Sequence, residues 1–73
     1  MTLQQLRYVI RAADSRSMNE AAKALYISQP SLSEAIKELE KEIGIELFKR
    51  SSHGTVLTPE GEEFLGYARQ VTD

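Results

Sequence analysis

The sequence predicts a mainly α fold with one short β-hairpin between its third and fourth helices. Three observations carry that reading. Four segments place apolar residues at helical spacing, each behind a capping residue. Ser51-Ser52-His53-Gly54 stands between the short apolar runs Leu47-Phe48 and Thr55-Val56-Leu57, which is the signature of a hairpin with a Gly-containing turn. Only Tyr26 and Ile27 separate the second helical segment from the cap of the third.

Thr2 and Gln5 form a T-x-x-Q capping box and open a helix with Leu3, Leu6, Val9, Ile10 and Ala13 on its apolar side. Asp14 to Arg16 breaks it. Ser17 and Glu20 form a second box, opening a helix that turns Met18, Ala21, Ala22 and Leu25 inward. Two helices crossing steeply over a short turn need small side chains at the contact, which Ala21 and Ala22 supply. Plain helix propensity is the alternative reason for alanine there. Ser28 caps the third helix and Pro30 falls in its first turn, where a missing N–H costs nothing. The apolar side of this helix is Leu32, Ala35, Ile36, Leu39 and Ile43. Gly44 is the expected C′ residue, with Ile45 folding back on Leu39, and Lys41 in the last turn complements the helix dipole. After the hairpin, Thr58 caps a fourth helix. Pro59 takes its first position, Glu60, Glu62 and Glu63 lie in or near its first turn, and its stripe is Phe64, Leu65, Ala68 and Val71.

Helix, helix, helix, hairpin, helix is a winged helix-turn-helix plan. Residues 1–57 make up the winged helix-turn-helix, and 58–73 begin a helix whose apolar stripe exceeds what so small a core covers. A second copy joined through that helix is the expected remedy, and a helix packed wholly on its own domain is the alternative.

Composition bounds the chemistry. The 73 residues hold no cysteine, which excludes disulfides and thiolate metal sites and fits a reducing cytosol. No signal peptide is visible, and no apolar run approaches the roughly 18 residues of a membrane span. His53 is the only histidine and has no clustered partner, so it is expected exposed at the hairpin tip rather than on a metal. No nucleophile, base and orienting group converge, and no phosphate-cradling loop is present; an enzyme is the weakest reading, and no cofactor is expected. The net charge of −2 argues mildly against nucleic acid, but its distribution matters more. Residues 1–33 and 47–56 each carry a net +2, while 34–46 and 57–73 each carry −3. The run from Glu34 to Glu46 reads as a solvated surface, with Glu38 and Lys41 spaced to pair.

In projection at about 100° per residue, the side of the third helix opposite the core carries Pro30, Ser33, Glu34, Lys37 and Lys41. Gln29 and Ser31 stand at its open N-terminus. Glutamine pairs bidentately with adenine, serine reaches bases or phosphates, and lysine reaches guanine or phosphate. A merely solvated polar side is the alternative, and the small-residue helix just upstream favours DNA. Lys49 and Arg50, at the base of the hairpin, are placed for phosphates or a minor groove; a solvated strand end is the alternative, and the preferred one for Lys49. A winged-helix protein-interaction module is the rival from another class, and the acidic net charge is its best support.

The string Ala21-Ala22-x-x-Leu25, Ser28-Gln29-Pro30-x-Leu32-Ser33-x-x-Ile36-x-x-Leu39-Glu40, Gly44, Leu47-Phe48-x-Arg50 and Leu57-Thr58-x-x-Gly61 resembles the N-terminal DNA-binding domain of LysR-type transcriptional regulators. The resemblance covers essentially the whole chain. It implies that Gln29, Pro30, Ser33 and Glu34 fall where the family contacts bases and backbone, and Ser31 and Lys37 where it contacts the flanking backbone. It puts Arg50 on the wing arginine and the helix from Thr58 on the dimerising linker helix. Met18 stands where Phe is usual, His53 and Thr55 stand in a wing often richer in Arg, and Glu34 stands where Arg, Lys or Gln is frequent. Glu34 would repel phosphate yet accept from cytosine N4. The expectation is therefore a homodimer on double-stranded DNA, reading an inverted repeat with a recognition helix at about 28–43 in the major groove. A tetramer is the further option for a full-length protein. The resemblance also implies a larger C-terminal domain, absent from this chain, that alone would bind a small-molecule effector. The setting it implies is the bacterial cytoplasm, at the nucleoid and not in a membrane.

Overall fold

Each helix starts behind a hydroxyl side chain. In the computed structural model, which describes residues 1–51 and 54–72, the Gln5 N–H donates to Thr2 Oγ1 at 3.1 Å and the Thr2 N–H donates to Gln5 Oε1 at 2.9 Å. The capping box of α1 (Leu3–Asp14) is thus complete. Ser17 accepts from the Glu20 N–H at 3.1 Å to open α2 (Met18–Leu25), and Ser28 accepts from the Ser31 N–H at 3.2 Å to open α3 (Gln29–Ile43). Thr58 accepts from the Gly61 N–H at 2.8 Å to open α4 (Pro59–Thr72). Each cap satisfies an N–H that the helix itself leaves without a partner.

The turn between α2 and α3 is a Schellman arrangement. The Tyr26 N–H donates to Lys23 O at 3.1 Å and the Ile27 N–H to Ala22 O at 3.0 Å. Tyr26 therefore takes a left-handed φ of 59°, and it is the one non-glycine residue to do so among those described. Its side chain is 95 % exposed, so no packing holds it there. Ile27 instead tucks against the core.

Strands β1 (Phe48–Ser51) and β2 (Gly54–Leu57) pair antiparallel, with Phe48 opposite Leu57, Lys49 opposite Val56 and Arg50 opposite Thr55. Ser52 and His53 lie outside the described residues, and with them the expectation for His53. The core gathers Val9 and Ala12 of α1, Ala21 and Ala22 of α2, Leu32, Ile36 and Leu39 of α3, and Leu47. Phe64 and Leu65 of α4 pack against it. Ala21 and Ala22 lie buried where α2 meets its neighbours, which suits the packing role of a small side chain.

Four expectations need correction. Leu3 is exposed and Ala12 is buried, because the inward line of α1 runs Leu6, Val9, Ala12 and leaves the first turn outside. Gly44 does end α3 in a left-handed conformation, and its N–H and that of Ile45 both donate to Glu40 O. Ile45, however, stays exposed, and Leu47 enters the core in its place. The Glu40 carboxylate causes this: it accepts from the Leu47 N–H at 2.7 Å and the Phe48 N–H at 3.2 Å, drawing that segment onto α3. Val71 is exposed, since the inward line of α4 runs Gly61, Leu65, Ala68, Thr72. Glu38 and Lys41 form no ion pair; among the described residues Glu42 pairs instead with the Met1 ammonium, tying the start of the chain to the end of α3.

Two contacts fix α4. Arg69 Nη2 donates to Asp14 Oδ1 at 2.6 Å, joining it to the end of α1. At its other end, the Thr58 N–H donates to Leu47 O at 3.0 Å and the Thr58 hydroxyl to Glu46 O. Gly61 then comes so close that a Cβ there would sit 2.2 Å from Leu47 O.

Candidate nucleic-acid interface

The exposed side of α3 faces the hairpin across a shallow cleft of about 430 Å³, lined by Gln29, Pro30, Ser33, Glu34, Lys37 and Arg50. Helical spacing puts Pro30, Ser33, Glu34 and Lys37 on the side away from Leu32, Ile36 and Leu39, with Gln29 half-buried at its edge in the first turn. The strand register accounts for the sixth. Arg50 sits opposite Thr55 in the exposed middle of the hairpin, from where it reaches the same cleft. Residues 17 positions apart in the chain, Ser33 and Arg50, are thereby brought to one surface.

Ser31, the remaining sequence candidate, does not line this cleft. It stands exposed at the α3 N-terminus, where its Oγ accepts from the Ser28 hydroxyl at 2.8 Å and its N–H donates to Ser28 Oγ. Its own O–H remains a donor directed by that network, beside the partial positive charge of the helix start.

An adjoining cleft, also bordered by Ser33, Lys37 and Arg50, adds Lys49. Three cations thus edge the surface between α3 and the hairpin and balance the three carboxylates that also line it, so its local charge is neutral where the chain as a whole is −2. Polyanions respond to that local field rather than to the sum. Glu34 is the carboxylate lining the first cleft, and Glu40 and Glu46 line the second.

Glu40, one of the solvated acids by sequence, has a part that periodicity does not show. Its carboxylate supplies acceptors to two backbone N–H groups at the hairpin root, and so sets the distance between α3 and the strand that carries Lys49 and Arg50. Its position one residue after the buried Leu39, on the Ser33–Lys37 side of the helix, was the available signal.

The family of bacterial regulatory helix-turn-helix proteins, lysR family, matches this chain over residues 3–62. The chain belongs to the LysR family. It is 42 % identical over 73 residues to the HTH-type transcriptional regulator TfdS of Cupriavidus pinatubonensis, a match covering 100 % of this chain and 25 % of that protein. It is 52 % identical over 64 residues to the regulator BudR of Klebsiella aerogenes, covering 88 % of this chain and 45 % of BudR. The chain therefore spans between a quarter and a half of the length of these relatives. The crystal structure of the BenM DBD in complex with benA site 1 DNA matches with a TM-score of 0.91 at 42 % identity, covering 97 % of this chain and 80 % of that one. These relatives are regulators and not enzymes. In this LysR-type winged helix-turn-helix domain, α2, the Tyr26 turn and α3 are the helix-turn-helix, and β1 with β2 is the wing.

Proposed function

We propose that this domain binds double-stranded DNA sequence-specifically, with α3 in the major groove and the wing against the flanking backbone, as a homodimer joined through α4. The single observation that carries the reading is the cleft that gathers Gln29, Pro30, Ser33, Glu34, Lys37 and Arg50 on one surface between α3 and the wing. An α-helix fits the major groove, and its first turns present side chains to base edges. Gln29, Ser33 and Glu34 are of the base-reading types; Lys37, Arg50 and the Ser31 hydroxyl suit phosphates. The likeness to BenM in its DNA complex supports the same orientation.

Residues 58–73 are the start of the dimerising linker helix in this reading. Its outward side supports that role: Tyr67 and Val71 are each 63 % exposed, and Gly66 beside Tyr67 leaves open space. Two copies joined there would offer two recognition helices to successive major grooves of an inverted repeat. In a longer protein, a small-molecule effector would act on a C-terminal domain, and a tetramer would follow from pairing of dimers. The workplace of such a regulator is the nucleoid in the bacterial cytoplasm.

Fluorescence anisotropy tests the reading, using duplexes selected from a random pool, several salt concentrations and scrambled competitor. The expected result is a site-selective complex of two protomers whose log affinity falls linearly with log salt. A folded sample that ignores DNA even at low salt would instead favour a protein-interaction module.

A further inference from the structure

Within the cleft, Gln29 and Ser33 are not independent. They stand one helical turn apart, both half-buried, and Gln29 Nε2 donates to Ser33 Oγ at 2.6 Å. Ser28 and Ser31 pair with each other, so the N-cap network does not compete for Ser33. A side-chain amide offers two N–H donors and one carbonyl acceptor. With one N–H given to Ser33, Gln29 keeps one N–H and Oε1. Adenine presents the complementary pair in the major groove, the N7 acceptor and the N6 amino donor. The bond restrains rotation about the last torsion of the Gln29 amide with Nε2 toward Ser33, a restraint that an unpaired glutamine lacks. Ser33 Oγ, already accepting, keeps its O–H as a donor for a purine N7, guanine O6, thymine O4 or a phosphate.

We propose that Ser33 is a positioning residue for base reading: it holds the Gln29 amide in the orientation that selects adenine, so preference at that base belongs to the pair. This rests on the DNA-binding reading above and adds a claim of its own. A Ser33 that only touched DNA would affect its own base or phosphate and leave the Gln29 base untouched. A Gln29–Ser33 bond that merely satisfied two polar groups in the free domain would break on binding, and removing it would leave the adenine preference intact or improved.

The experiment uses the 73-residue chain, its selected duplex and every single-base-pair variant of that duplex. Gln29→Ala first locates the pair that Gln29 reads, as the position where preference collapses; that pair is expected to be A·T. Ser33→Ala is then expected to lower the preference at the same pair by roughly five- to tenfold, about one good contact. Gln29→Ala/Ser33→Ala should be no worse there than Gln29→Ala alone, and Ser33→Thr, which keeps a hydroxyl, should recover most of the preference. Thermal midpoints confirm that each variant is folded. Full adenine preference in Ser33→Ala, additive losses in the double variant, or a G·C pair at the Gln29 position would each overturn the proposal. A wild-type chain that binds without preferring any sequence would overturn the DNA-reading function itself, which the first titration reports before any variant is compared.

Discussion

Gly61 and Gly66 lie in one helix, five residues apart, and face opposite surroundings. Alanine is favoured over glycine in a helix interior by about 0.8–1 kcal/mol, so Gly66→Ala begins with that gain and Gly61→Ala, in the first turn, with at most that. At Gly66 nothing lies within 4 Å of a new Cβ, so the gain is kept. At Gly61 the Cβ would meet Leu47 O at 2.2 Å and both Leu47 C and Leu57 Cδ2 at 3.0 Å. An ordinary C···O approach is roughly 3.3 Å, so α4 and the wing root must part by about 1 Å. Overpacking of that kind costs about 1–3 kcal/mol, and the upper end applies because the obstacle is backbone. The same displacement stretches the Thr58 N–H bond to Leu47 O, worth about another 1 kcal/mol. Gly61→Ala is therefore expected to destabilise the domain by about 2–3 kcal/mol net, and Gly66→Ala to stabilise it by about 1 kcal/mol. For a domain of this size, each kcal/mol moves Tm by about 4–8 °C, so the two variants should separate by more than 10 °C. Thermal and urea unfolding followed by circular dichroism reads this, at concentrations where dilution does not move the midpoint. A Gly61→Ala midpoint above wild type would refute the close approach on which the reasoning rests.

Three further outcomes follow from the same structure. Tyr26→Asn should stabilise the domain by about 0.5–1 kcal/mol and Tyr26→Val destabilise it by about 1 kcal/mol in urea unfolding, because asparagine tolerates a left-handed φ, a β-branched residue resists it, and the exposed ring loses no packing. Glu40→Ala should cost about 1–3 kcal/mol by leaving the Leu47 and Phe48 N–H groups without their acceptor, while Glu40→Gln keeps an acceptor and loses less than half of that; equal losses would show that the carboxylate oxygens are not the cause. Arg50→Ala should weaken binding about equally on cognate and scrambled duplexes and lower the slope of log affinity against log salt by about 1, so an unchanged slope would count against a phosphate contact.

Much of the architecture was legible because its signals are local. Thr2, Ser17, Ser28 and Thr58 each act on an N–H three residues ahead, and the sequence displays that spacing directly. The hairpin was readable for the same reason, since Gly54 and the flanking apolar runs are neighbours in the chain. The residues of the cleft were legible on α3 by periodicity, but their meeting with Arg50 depends on how the wing docks. The errors lie where a distant element decides. Periodicity marks an apolar stripe without saying where its cover ends, so it points Leu3 and Val71 inward although neither is covered. Nothing near Ile45 announces that Glu40 will capture the Leu47 and Phe48 amides, and that capture sends Leu47 into the core. The Tyr26 turn was legible as a turn; its left-handed backbone was not, because tyrosine carries no preference for that region.

The junction of Thr58, Gly61 and Leu47 makes the DNA-reading head and α4 one rigid piece, with the helix as a lever arm. Its 14 residues span about 21 Å, so a 10° tilt about the far end sweeps the junction end, and the head with it, through about 3.7 Å, close to one base-pair step. In an assembly of two such pieces joined through α4, half-site spacing becomes a matter of angle, and about 10° at the crossing would shift one head by a base pair relative to the other without altering either head.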